Sequence, residues 1–424
     1  MSTGARAREQ VDVAVAGGGI IGLSVAWAAR ARGMSVAVLE RDRFGAGASH
    51  VAAGMLAPVS EAEYGSGGRR LLELGLRSAA SWPRFAAALE HASGRGLQLR
   101  RSGTLLLARD GDEAQELERM LELRRSLGLA VERLRASRAR ELEPALAPAV
   151  RLALEVADDH AVDPRAVTAA LRVACERAGV ALHEHEPVAR VLLDGAGTRA
   201  EGVELADGSR VSSPTVVLAA GAWTRTLSGV PEHALPPVRP VKGQTLRLRD
   251  PAGEGLVGRT LRFGSSYLVP RGDGRYVLGA TVEERGYETA PTAGGVYELL
   301  RDAHELVPGV AELEIEELCV GLRPGTPDNA PVLGPGAVSG LVWATGHHRN
   351  GVLLAPLTAE LIADVLAGDG GEPPPWGAAA SPHERGQLLA ACAPARFSEQ
   401  PGEPGREPGE PGPAATSLPA EAVR

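Results

Sequence analysis

The sequence predicts an α/β protein in which a doubly wound domain of parallel strands is interrupted by an antiparallel, strand-rich domain. Three observations predict it. A valine-rich run at residues 11–16 passes through three glycines into an alanine-rich helical stretch at 20–32, then into a second apolar run at 35–39. Two more short apolar runs, 216–220 and 340–344, lead into glycine at Gly221 and Gly346. Between them, residues 238–281 are strand-like and punctuated by glycine. Short continuous apolar runs suit strands buried on both faces, as in a parallel sheet covered on each side.

A length of 424 residues admits two large domains or nearly three of about 150 residues each. Hydrophobic residues at 44% and charged residues at 23% are globular proportions and exclude a fibrous or wholly disordered chain. The net charge of -8, with no basic cluster interleaved with aromatics, argues against nucleic acid. Lys242 is the one lysine beside forty-four arginines, a skew that identifies no partner. Cys175, Cys319 and Cys392 stand far apart, without C-x-x-C or a histidine at ligand spacing, so no metal is expected and a reducing, cytoplasmic setting fits. Residues 13–29 carry no charge, but a membrane span needs about 20 mostly apolar residues, and Gly17, Gly18 and Gly19 interrupt this run early. It reads as strand, turn and helix, with no membrane partner.

In chain order, residues 1–10 are polar and expected to be a flexible arm. The stretches 69–89 and 112–128 repeat leucine at helical spacing among Arg and Glu, as amphipathic helices do, with a strand at 103–108 between them. Asp163 and Pro164 open a helix that Gly179 closes. Residues 188–193 and 202–205 alternate as strands, and Ala206-Asp207-Gly208 turns the chain toward Arg210 and Val211. Helices are expected at 295–306 and 351–366. Residues 400–413, QPGEPGREPGEPGP, hold too little apolar matter to offset ordering entropy, so 395–424 is expected to be a disordered tail. The nucleotide-binding domain is therefore expected over 11–85, 150–225 and 325–372, and the interleaved domain over 86–149 and 226–324.

The chemistry begins at Gly17-Gly18-Gly19-Ile20-Ile21-Gly22, which fits G-x-G-x-x-G. The glycines serve a tight turn, close approach to a pyrophosphate and close packing of helix on strand. The motif follows a strand, opens a helix and lies twenty-three residues before Glu40 at the end of the next strand, where a carboxylate suits an adenosine ribose. Such a fingerprint does not choose between nicotinamide and flavin dinucleotides. The small-residue run 45–58, GAGASHVAAGMLAP, would let backbone approach a large planar ligand.

GAGASHVAAGMLAPVSEAEYG, with GGGIIG, VVLAAGAW at 216–223, PVKGQ at 240–244, YLVPR at 267–271, GLRPGT at 321–326 and GHHRNGVLLAP at 346–356, resembles the FAD-dependent D-amino acid oxidase family. The resemblance runs in order from about residue 11 to 370 and is strongest to the branch that oxidises glycine for thiamine biosynthesis. It implies a Rossmann-like FAD-binding domain with an antiparallel substrate domain over the flavin. It also implies oxidative deamination of glycine, and of sarcosine and D-alanine, to glyoxylate or the corresponding product, ammonia and hydrogen peroxide, with molecular oxygen as acceptor.

The family's roles carry over residue by residue. Gly17, Gly19, Ile20, Ile21 and Gly22 would hold the pyrophosphate, Glu40 and Arg41 the adenosine end, and Ala48, Ser49, Ala53, Gly54 and Met55 the flavin side. The backbone of Val188 would meet the adenine. His347, His348, Arg349, Asn350, Gly351, Val352 and Leu353 would end a strand beside the flavin and open a helix whose N-terminal N–H groups favour negative charge. Arg323 would bind the substrate carboxylate with its planar fork, helped by Arg349 and the hydroxyl of Tyr267. Neither His347 nor His348 is expected to act as a base. Ser265 departs from the pattern, which has histidine two residues before this tyrosine. Cys319 is the one thiol near these motifs, but its flanks are not those of relatives that tether flavin, so FAD is expected to be non-covalent. Thiazole synthase as a partner and a homo-oligomer also come with the resemblance. A D-amino acid dehydrogenase, a sarcosine oxidase-like enzyme, a flavoprotein without turnover and an NAD-dependent reductase are the rival readings.

Overall fold

The structure is a computed structural model that describes residues 7–253, 255–368, 374–377 and 381–397. Its centre is a six-stranded sheet in the order Val332–Pro335, Leu341–Thr345, Thr215–Leu218, Val13–Ala16, Val36–Leu39 and Ala181–His183. All neighbours pair in parallel except Val332–Pro335, which runs antiparallel to Leu341–Thr345.

Both faces of this sheet are covered, which is why its strands read as unbroken apolar runs. Val13 and Val15 point into a core shared with helices Ile20–Ala31, Gly65–Ser93, Pro164–Ala178 and Gly351–Ala367. The alternate residues Ala14 and Ala16 pack instead against Val191, Val203 and Val211 of a four-stranded sheet. Pro164–Ala178 begins where expected, with Asp163 Oδ1 accepting from the Arg165 N–H at 3.0 Å, and ends at Gly179 in the left-handed region.

The second domain is an eight-stranded sheet in the order Glu314–Gly325, Arg239–Arg249, Arg275–Gly279, Ser266–Pro270, Thr260–Phe263, Thr104–Ala108, Leu152–Val156 and Glu132–Arg135. Only Thr260–Phe263 with Thr104–Ala108 is parallel. Period-two alternation splits its faces. Leu246, Leu261, Leu268 and Leu278 pack with Leu299, Ala303 and Leu306 of helix Ala293–Leu306. The opposite face carries Thr245, Arg262 and Tyr267, in register through Gly279, toward the first domain.

Several expectations change. The arm expected over 1–10 is in part a strand: Ala7–Gln10 pairs in parallel with Arg210–Ser212 and so gains ladder hydrogen bonds. The boundary expected after residue 85 falls inside helix Gly65–Ser93, because Phe85, Ala86 and Leu89 belong to the first domain's core. Leu152–Val156, assigned by sequence to the first domain, is a strand of the second, and the long strand Glu314–Gly325 extends that domain through Gly325. Ordered structure also continues past residue 368. Trp376 is fully buried and stacks on Trp27 at 4.2 Å between centroids, and Pro382–Ala391 is a helix with a Ser381–Glu384 capping box. A short 3₁₀ turn covers Pro394–Phe397, and the tail expected beyond it, 398–424, lies outside the described residues.

Removing a large buried aromatic costs about 3–5 kcal/mol. Trp376→Ala should therefore lower the urea midpoint strongly, measured by far-ultraviolet circular dichroism, although Trp376 lies outside the cleft described next.

Candidate active site

A single long cleft between the two sheets gathers most of the residues singled out by sequence. At one end, Glu40 follows the second parallel strand. Its Oε2 accepts from the Gly18 N–H at 2.7 Å and its Oε1 from the Asp42 N–H at 2.9 Å. A carboxylate has acceptor capacity beyond two such bonds, so Glu40 retains room for ribose hydroxyls. The Arg41 guanidinium lies over the Trp223 ring, 3.7 Å from its centroid, and Pro187 and Val188 line the same cleft.

The turn between strand and helix is built for close approach. Gly17 has φ +113°, and a Cβ there would stand 2.5 Å from the Ala219 carbonyl oxygen. A Cβ on Gly22 would stand 1.9 Å from the Gly17 carbonyl oxygen, so Gly22 secures the helix-on-turn packing and does not line the cleft. Gly19, Ile20 and Ile21 do line it. Helix Ile20–Ala31 has no side-chain cap at Gly19, while the Ile20 N–H donates to Ser49 Oγ at 3.0 Å. The remaining first-turn N–H groups lack intrahelical acceptors, which is the arrangement that receives phosphate.

Ala48, Ser49, Ala53, Gly54 and Met55 continue the wall. Opposite them, Gly351 and Val352 bring the start of helix Gly351–Ala367 to the cleft, again without a side-chain cap or an acidic residue in the first turn. Asn350 and Leu353 differ from expectation. They line a small side cavity with Glu61, Glu63 and Arg349, and the Leu353 carbonyl accepts from Ser78 Oγ at 2.6 Å and Trp82 Nε1 at 2.9 Å. Their direction follows from the helix, which turns successive side chains by about 100°.

The other end of the cleft is strongly charged. Arg323 is partly buried, and its Nη1 donates to the carbonyls of Thr281 at 3.1 Å and Lys242 at 3.3 Å. Its guanidinium lies over Gly243, where a Cβ would meet Nη1 at 2.3 Å, so a side chain at 243 would displace it. Burial pulls the Arg323 group below its ordinary value, and Tyr267 and Glu61 oppose that shift. Burial likewise pushes the Tyr267 hydroxyl up. Arg349 reaches the same cleft but also pairs with Glu63; burial disfavours its charge, yet Glu61 and Glu63 hold it above the usual value.

His347 and His348 both line the cleft, and burial drives each down to about 3. His347 Nε2 contacts Thr358 Oγ1 at 2.9 Å. Cys319 lies off the cleft, its Sγ accepting from Arg165 Nη2 at 3.5 Å.

Three contributors were not singled out by sequence. Glu61 and Arg262 enter the cleft from distant segments and pair at 3.4 Å. Lys242, fully buried, donates from Nζ to the Ala290 carbonyl at 2.7 Å and lies 3.5 Å from Glu283, fastening the segment that follows Thr281. Glu61 and Lys242 stand in motifs quoted above, but nothing local marks their partners.

Two uncapped helix N-termini, a glycine turn closed to any Cβ and an acid at the strand end fit a bound dinucleotide along the cleft. Among the described residues, no group of His, Cys, Asp and Glu is placed to hold a metal, and no helix is long and apolar enough to cross a membrane.

Comparison with known proteins agrees with this geometry. The chain is 35% identical to a glycine oxidase of Geobacillus kaustophilus over 84% of this chain and 92% of that protein. It is also 35% identical to the bifunctional protein ThiO/ThiG of Trichormus variabilis, over 85% of this chain and 53% of that protein. The crystal structure of glycine oxidase from Geobacillus kaustophilus superposes with a TM-score of 0.79 at 34% identity, covering 86% of this chain and 97% of that one. Residues 12–365 match the family model for FAD-dependent oxidoreductases, and the chain belongs to that family.

Proposed function

We propose that this enzyme oxidises glycine, and with it sarcosine and D-alanine, using oxygen as acceptor. The observation that carries the reading is Arg323, a partly buried guanidinium at the far end of the cleft, beside Tyr267. Glycine oxidases among the relatives support the choice of substrate.

Non-covalently bound FAD supplies a two-electron acceptor for the hydride that leaves the substrate Cα. The chain's own residues bind and orient. Arg323 takes the carboxylate in a two-pronged pair, and the Tyr267 hydroxyl donates to the same group. Gly17, Gly19, Ile20 and Ile21 cradle the pyrophosphate, Glu40, Arg41 and Val188 the adenosine, and the segment from Ala48 to Met55 the flavin. His347, His348, Gly351 and Val352 form the facing wall. Asn350 and Leu353 support that wall from behind. Held down to about 3, both histidines are too weakly basic to take up and keep a proton at neutral pH, so neither serves as base; the amine enters neutral and positioning dominates. Ser265 lines the cleft beside Tyr267 with a small side chain, which favours acceptance of an N-methyl or Cα-methyl group. Hydrolysis of the imine then yields glyoxylate and ammonia. Supply of product to thiazole synthase accords with the ThiO/ThiG relatives; a cytoplasmic setting and a homo-oligomer belong to the same proposal.

Three outcomes test this. Under anaerobic conditions glycine should bleach the flavin absorbance and air should restore it; an unbleached flavin rejects the substrate assignment. Five heavy atoms at about -1.5 kcal/mol each limit binding to about -7.5 kcal/mol, so KM for glycine should not fall below about 3 micromolar.

Arg323→Ala should lower kcat/KM about a hundredfold or more while FAD stays bound, and Arg323→Lys should recover little, because an ammonium cannot make the forked pair.

Acid stability reports on the histidines. Unfolded histidine takes up a proton below about 6.5, whereas His347 and His348 resist protonation until about 3. Folded-state values depressed in this way give stability that is fully present above the unfolded value and is lost as pH falls from there. Thermal midpoints should drop below about pH 6.5, and His347→Asn should flatten the drop.

A further inference from the structure

The helix Gly111–Ser126 is polar and mostly exposed, yet Arg124 on it is only 1% exposed. Its Nε donates to the Val59 carbonyl at 2.9 Å and its Nη2 to the Ser60 carbonyl at 2.7 Å. From the other side comes Asp159, which has no exposure at all and accepts from the Val59 N–H at 3.2 Å and the Ser60 N–H at 2.6 Å. Two buried, oppositely charged side chains thus fix all four backbone polar groups of the two residues just before Glu61. Burial opposes both charges, pushing Asp159 up to about 6 and Arg124 down, so the arrangement is costly and its hydrogen bonds must repay it.

What the clamp presents to the cleft is one carboxylate among three guanidiniums. Glu61 lies 3.4 Å from Arg262 Nη1, an atom with no hydrogen-bond partner, and also acts on Arg349 and Arg323. Arg262 stands directly across the strand pair from Tyr267, so it faces the same space as the substrate-binding groups. Without Glu61 in place, Arg262 would offer a second seat for an amino acid carboxylate. A substrate seated there would hold its Cα away from the productive position.

We propose that Arg124 and Asp159 are positioning residues: by clamping Val59 and Ser60 they hold Glu61 against Arg262, so that the substrate carboxylate goes to Arg323 and Tyr267 and not to Arg262. This rests on the reading of that end of the cleft as the amino acid site. The signature is unproductive binding, in which kcat and KM fall together and kcat/KM changes little.

The test uses the FAD-loaded enzyme, glycine turnover and a titration of acetate followed through flavin absorbance. In Asp159→Asn and Arg124→Lys, kcat and KM for glycine should each fall about fivefold, and acetate should bind about fivefold tighter, the size of one part-exposed ion pair. Glu61→Gln should do the same, and Asp159→Asn combined with Glu61→Gln should add nothing to Glu61→Gln alone. A merely structural role would lower thermal stability and weaken acetate. Weaker or unchanged acetate binding, a raised KM, or additive effects in the double variant overturn the proposal. Where Asp159→Asn fails to fold, Glu61→Gln still decides, because unaltered acetate binding there overturns it. Acetate binding reads the clamp even if glycine proves not to be the substrate.

Discussion

An arginine charge partly withdrawn from water must be met by oriented dipoles or an opposite charge, and the charged end of the cleft is organised around that demand at Arg323. The carbonyls of Lys242 and Thr281 meet part of it, and they come from two different segments. The Lys242 side chain in turn fastens the segment beyond Thr281 through Ala290 and Glu283. Gly243 leaves the space in which the guanidinium lies. The Tyr267 hydroxyl and the Glu61 carboxylate meet a further part, and in the proposed reading a substrate carboxylate would complete the set.

The cofactor end was legible in the sequence because its determinants are local. A turn without room for Cβ, an uncapped helix and an acid at the next strand end lie within about one strand–helix–strand unit, and such a unit has a recognisable spacing. The substrate end was legible only where a motif happened to hold the residue, as for Arg323 and Tyr267. Glu61 meets Arg262 across two hundred residues, and Arg124 sits on a helix whose other residues read as an ordinary solvated surface. Strand membership was similarly obscured: Leu152–Val156 looks like any buried strand, and only pairing with Thr104–Ala108 assigns it to the second sheet. Asn350 and Leu353 show the converse limit. They belong to a motif that reaches the cleft, but helix rotation turns them to its back.

Beyond the family match, which ends at residue 365, the chain still contributes to the core. Trp376 completes an aromatic cluster with Trp27 and Phe85, and Arg396 ties the last described turn to Asp328 at 2.9 Å. The extension therefore braces the back of the helix that carries the glycine fingerprint, since Trp27 lies on that same helix.

The interleaving of the two sheets has a kinetic consequence. Strands that pair in the second domain are separated by long stretches, as in Thr104–Ala108 with Thr260–Phe263 and Arg239–Arg249 with Glu314–Gly325. Topologies dominated by such distant pairings close slowly, because loop entropy is lost before the contacts form. Ribosomal synthesis therefore releases the first parallel strands well before their neighbours at 215–218 and 341–345 exist. The nascent chain carries an unpaired apolar sheet edge through most of its translation, the kind of edge at which mispairing and aggregation begin.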